Sequence, residues 1–201
     1  MKGKIPRVEF RYSQVYDEKY RKNKELMKFL RKKRDKYPSQ KKIIKYKRKI
    51  EKIWVKEGRK ILLELSKITG LKWKEDIICY VIGRGRPFSD PLTMRIYPNV
   101  NDFVDTLTHE LIHNLGMQNS DKTKYWWRFV DKKYKNETGL TKSHIFLQAV
   151  HWKLLLNFYD KRRLNRNIKR DTVKDYQISW EIVTNEGFQN IIDTFKERCG
   201  N

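Results

Sequence analysis

Asn101-Asp102-Phe103-Val104-Asp105-Thr106-Leu107-Thr108-His109-Glu110-Leu111-Ile112-His113-Asn114-Leu115-Gly116 is the stretch on which the fold turns. Its apolar residues Phe103, Val104, Leu107, Leu111, Ile112 and Leu115 recur at three- and four-residue spacing, the period of a helix with one buried face. Asn101 or Asp102 suits the N-cap, and Gly116 suits the left-handed position just past the C-terminus. Within this helix His109 and His113 are four apart, so their imidazoles stand on one face, one turn apart. Two imidazoles at that spacing can hold one zinc ion, with Glu110 beside it as a base for a water. The competing expectation is a core helix with two satisfied histidines. It is disfavoured because a carboxylate buried on an apolar helix is costly without a cation to neutralise it.

Outward from this helix, Arg7 to Tyr12 alternates apolar and charged and reads as a strand. Asp17 to Lys36 reads as one basic helix closed before Pro38. A long helix follows to Thr69, with Ile43, Ile50, Trp54, Ile61, Leu65 and Ile68 on one stripe and Gly70 as its stop. Asp76 to Ile82 reads as a buried strand, 83–91 as a loop, and Leu92 to Tyr97 as an edge strand stopped by Pro98. Beyond the central helix, helices are predicted at Thr123–Asn136, Thr141–Tyr159, Tyr176–Asn185 and Phe188–Lys196. No internal repeat or Pro/Ser-rich linker interrupts the 201 residues.

The charge is strongly one-sided. Lys and Arg number 47 against 24 Asp and Glu, a net of +23. Lys19 to Lys60 holds 20 basic and 4 acidic residues, and 161–170 forms a second basic cluster. Such a field favours polyanions, so nucleic acid or another polyanion is an expected partner through residues 19–60 and 161–170. The start, Met1 to Arg7, is too polar for a signal peptide, and no run reaches the ~18 apolar residues of a membrane span. Cys79 and Cys199 form no CxxC pattern and no disulfide framework, so a reducing, cytoplasmic location is expected.

The order of elements, with the His109–His113 pentad on its helix, resembles the zincin fold of HExxH zinc metallopeptidases. In that family a small sheet covers the active-site helix and its edge strand runs along the substrate cleft. The resemblance implies an α+β, mostly α, chain with additional basic N-terminal helices. It implies a single zincin-like domain over 1–201, with a basic helical part at 17–69, a catalytic core at 76–160 and C-terminal helices at 171–201. Thr93 to Tyr97 takes the place of the edge strand. The metzincin pattern is matched as far as Gly116 and then fails, because Asn119 stands where the third histidine belongs. An SprT-like plan wants a His soon after the pentad, whereas the next is His144. A gluzincin-like plan takes its third ligand, a Glu, from a later helix.

A catalytic zinc has three protein ligands and one open position. The third ligand is expected to be His144, with His151 as alternative. The two are seven apart on one predicted helix, with Gln148 between them placed to hydrogen-bond a ligand. Glu137 and Glu181 are weaker candidates. In the mechanism that follows, Glu110 is the general base, and His151, Tyr125 or Tyr159 is the oxyanion donor. Asp105 either orients an imidazole or lies exposed near the helix cap. The expected function is hydrolysis of a protein or peptide substrate, with Zn2+ as cofactor. Two other readings stay open. One is a nucleic-acid-binding protein with a structural or vestigial zinc site, using the aromatics Tyr20, Phe29, Tyr37, Tyr46 and Trp54 among the lysines. The other is a metal-free helical interaction protein.

Overall fold

The computed structural model describes residues 5–200, so the first four residues of the polar N-terminal stretch lie outside it. The chain is mostly helical α+β, with a four-stranded mixed sheet. Its elements are β1 (Val8–Arg11), α1 (Gln14–Arg21), α2 (Lys24–Lys32), α3 (Gln40–Thr69), β2 (Ile77–Ile82), β3 (Phe88–Ser89) and β4 (Leu92–Arg95). They are followed by α4 (Val100–Gln118), α5 (Ser120–Lys133), α6 (Gly139–Phe158), α7 (Lys161–Arg170), α8 (Lys174–Glu186) and α9 (Phe188–Cys199). The described residues form two compact units. One comprises 5–60 and 75–114, the other 61–74 and 115–200. No helix among them is long and apolar enough to cross a membrane.

The first unit holds the sheet, in the order β1-β2-β4-β3. β1, β2 and β4 are parallel, and β3 folds back antiparallel on β4. Phe10 and Cys79 are register partners, as are Val81 and Met94, so all four point to one face. On that face Phe10 meets Trp54 of α3 and Phe103 of α4, with ring centroids 6.1 and 6.2 Å apart. Tyr46 and Tyr97 also pack edge-on against Phe103. The sheet therefore lies against the helix that carries the pentad. The opposite face presents Tyr80 and Thr93, which are covered by Tyr16 of α1 through a ring contact and a 2.9 Å hydroxyl hydrogen bond.

Asp17 pins this arrangement. Its side chain is fully buried and accepts from the Tyr37 hydroxyl at 2.5 Å, the Gly83 N–H at 3.0 Å and the Arg21 guanidinium at 3.1 Å. Truncation would take the acceptor from the buried Gly83 N–H and from the half-buried Tyr37 hydroxyl and Arg21 guanidinium, a penalty of about 1–3 kcal/mol for each buried group left unsatisfied. Asp17→Ala is therefore expected to destabilise the protein by about 3 kcal/mol in denaturant unfolding, on that same scale. A shift under roughly 1 kcal/mol would show that the network carries little.

In the second unit α6 is the central helix, packed by α7, α8 and α9. Trp126 of α5, Phe146 of α6 and Phe195 of α9 form an aromatic cluster in which Phe146 and Phe195 stack at 3.6 Å. Leu155, Leu164 and Trp180 form a second core patch.

Several sequence expectations are corrected. The expected basic helix 17–36 is two helices, because the Asn23 side chain captures the Leu26 N–H at 2.8 Å and starts a new one. Leu92 to Tyr97 is a strand only over Leu92–Arg95, and its first two residues are covered by β3. The turn at Asp90-Pro91 returns Phe88 and Ser89 onto β4, leaving β1 and β3 as the outer strands. Helix α4 begins one residue before Asn101, with Asn99 accepting the Asn101 N–H at 2.9 Å in place of Asn101 or Asp102 as cap. It also runs through Gly116 to Gln118, since Gly116 lacks the positive φ that Gly70 does adopt at the end of α3. The basic cluster 161–170 is a helix in its own right, capped by Asp160 and seated by Leu164.

Candidate metal centre

His109 and His113 lie on the half-buried face of α4, with ring centroids 5.3 Å apart. The helix that holds them is fixed by Phe103, Val104, Leu107, Leu111 and Leu115, all buried. Glu110 is buried, 7 % exposed. Burial pushes its carboxyl up to about 8. The Glu110 charge in turn helps raise the buried Cys79 thiol of β2, after burial itself, which places Cys79 beside it.

His144 sits on the first turns of α6, 4 % exposed. Its Nδ1 lies 2.8 Å from the Leu140 carbonyl and 2.9 Å from the Ser143 hydroxyl. A carbonyl only accepts, so Nδ1 carries the proton and Nε2 keeps its lone pair. Burial lowers the His144 pKa and keeps the ring neutral, the form that ligates a metal. The Tyr176 ring lies over the imidazole at 4.3 Å. Asp175, next to it at the start of α8, accepts from the Thr138 and Thr141 hydroxyls and fixes the N-terminus of α6. Sequence reading passed over Tyr176 and Asp175. Their only signal was a position at the start of a predicted tail helix.

His109, His113 and His144 each offer one ring nitrogen, and these nitrogens all lie within 4.8 Å of one another. The three form a possible metal site. Zinc binds imidazole nitrogens at about 2.0–2.1 Å. Neutral imidazoles suit zinc among several first-row metals. Three imidazoles, with that of His144 held neutral by burial, are a donor set that fits such an ion.

The other expected residues are placed as follows. His151 is buried on α6 but falls outside the group of three, as do Glu137 and the exposed Glu181. Gln148 does not serve His144. Its amide accepts from the Ser179 hydroxyl at 2.6 Å and donates to the Tyr176 carbonyl, tying α6 to α8. Asp105 is buried, which removes its reading as an exposed cap residue. Tyr125 is nearly half exposed among Lys124 and Arg128, and the Tyr159 ring carries the Arg163 guanidinium at 3.6 Å. Asn119 is a structural residue. Its amide donates to the Leu115 and Lys72 carbonyls and closes the end of α4. Compared with protein-family models, with curated proteins and with solved structures, the chain matches none of them.

Proposed function

We propose that the chain is a zinc-dependent metallopeptidase of zincin-like design, with His109, His113 and His144 as the metal ligands and Glu110 as the general base. The observation that carries this reading is the group of three histidine nitrogens with a buried carboxyl in the same helix turn. A structural zinc site is closed by four protein ligands, whereas a catalytic site has three and keeps one position open. Among the described residues the group has three members, which favours catalysis over a structural or vestigial site.

Zinc bound there would act as a Lewis acid, acidifying a water ligand and polarising a peptide carbonyl. The remaining work falls to the chain. Leu140, through its carbonyl, holds His144 in the tautomer that presents Nε2. Tyr176 covers the other side of that ring and limits its rotation. Glu110, next to His109 in the same helix turn, would take the proton of the attacking water and return it to the leaving amine. A dication nearby favours the carboxylate, the proton-accepting form.

The test is hydrolysis of an unfolded protein or peptide pool by the purified full chain. Activity should disappear with a zinc chelator and return on adding stoichiometric zinc. Cleavage that persists in chelator, or that zinc fails to restore, would refute the assignment.

A further inference from the structure

Between Lys41 and Lys60, helix α3 exposes nine cations, and its two acidic residues, Glu51 and Glu57, are half-buried. At 100° per residue, Lys41, Lys45, Arg48, Lys52, Lys56 and Arg59 fall within an arc of about 80°. The stripe they make runs for ~27 Å at 1.5 Å per residue. Among the described residues none of these six joins an ion pair, while Glu51, off the stripe, is taken by Lys47. A groove of about 500 Å³ opens along it, walled by Lys42, Lys45, Tyr46, Arg48, Lys49 and Lys52. Like charges four apart repel on a helix, so this stripe is destabilising in the isolated protein and relieved by an anionic partner.

The surroundings of the stripe narrow the partner. Trp54 is buried in the core, and Tyr46 packs on Phe103 and accepts the Tyr97 N–H through its hydroxyl. Tyr37 is likewise committed to Asp17. Of the aromatics in the basic segment only Phe29, on α2, is exposed, so α3 carries no row of the stacking platforms that single strands require. The apolar side of the helix is turned inward, and Val55 is the one large apolar side chain exposed among residues 40–60, so no apolar face is left for a lipid surface. A helix ~10–12 Å across matches the ~12 Å major groove of B-DNA, where a stripe of cations on its outward face meets phosphates, whereas the A-form RNA groove is too narrow.

We propose that α3, through residues 41–59, docks on double-stranded DNA by contacting phosphates without reading sequence. This interface does not depend on the metal centre.

The experiment measures binding of the full chain to two unrelated 20-base-pair DNA duplexes by fluorescence anisotropy from 50 to 200 mM salt. Six phosphate contacts predict a slope of log K against log salt near −5, equal for both sequences. The triple variant Lys45→Glu, Arg48→Glu, Lys52→Glu should flatten the slope by about 3 and weaken binding at least 100-fold at the lowest salt. A milder triple replacement by Gln should flatten the slope by the same amount, and circular dichroism confirms that the helix persists. Lys161→Glu with Arg162→Glu on α7, and His109→Ala at the metal centre, should bind as the parent does. The proposal is overturned if the Gln triple leaves the slope unchanged. It is also overturned if the same-length RNA duplex, or phosphatidylserine vesicles, bind as tightly as DNA.

Discussion

Glu110→Gln is expected to retain one zinc per chain and to lower peptide hydrolysis by about 10²–10⁴-fold, the range for loss of a positioned general base. The glutamine keeps the shape of the side chain and removes its basicity. The same substitution has a second, independent consequence in the metal-free protein. Burial raises the Glu110 carboxyl from 4.5 to about 8. A raised pKa means the folded protein binds a proton that the unfolded chain releases. The stability this confers is fully present below about 4.5 and is lost as pH rises through about 8. Metal-free parent protein should therefore lose on the order of a few kcal/mol between these limits, and Glu110→Gln should lose much less of it. Thermal unfolding in chelator at pH 5 and pH 9 measures the difference. Equal pH dependence in the two proteins would show that Glu110 is not buried as an acid, and undiminished hydrolysis would remove it from the reaction.

His144→Ala should lower zinc affinity by several orders of magnitude, whereas His151→Ala should leave one zinc bound. The two histidines share a helix, a face and near-complete burial, so sequence position does not separate them. Their surroundings do. His144 has Nδ1 tied to Leu140 and joins the ring nitrogens of His109 and His113, whereas His151 lies outside that group. Loss of zinc with His151→Ala and retention with His144→Ala would reverse the assignment. Leu140 contributes through its backbone, so Ser143→Ala offers a finer probe. It removes one hydrogen bond at Nδ1 and should weaken zinc binding only modestly.

The parts of the fold legible in the sequence were those governed by long, regular patterns. The thirty residues of α3 end at Gly70 because the stripe of Ile43, Ile50, Trp54, Ile61 and Leu65 is unbroken and Gly70 takes a positive φ. The helix of the pentad was legible for the same reason. Side-chain competition for backbone groups was not. Asn23 splits α1 from α2 through a single hydrogen bond, and Asn119, not Gly116, closes α4. Strand β3 is two residues long and has no period to read. Helix α7 was masked by its charge, since only Leu164 and Ile168 mark its inner side. At the candidate site the i, i+4 histidines were readable locally. The group around His144 was not, because Leu140 on α6 stands more than thirty residues before Asp175 and Tyr176 on α8.

The most direct measurement is the zinc X-ray absorption spectrum of the full chain loaded with one equivalent of zinc. Three imidazole nitrogens at about 2.0–2.1 Å with one further light-atom ligand are predicted, with two imidazoles remaining in His144→Ala. A sulfur ligand, a fourth protein nitrogen, or a spectrum unchanged by His144→Ala would contradict the account.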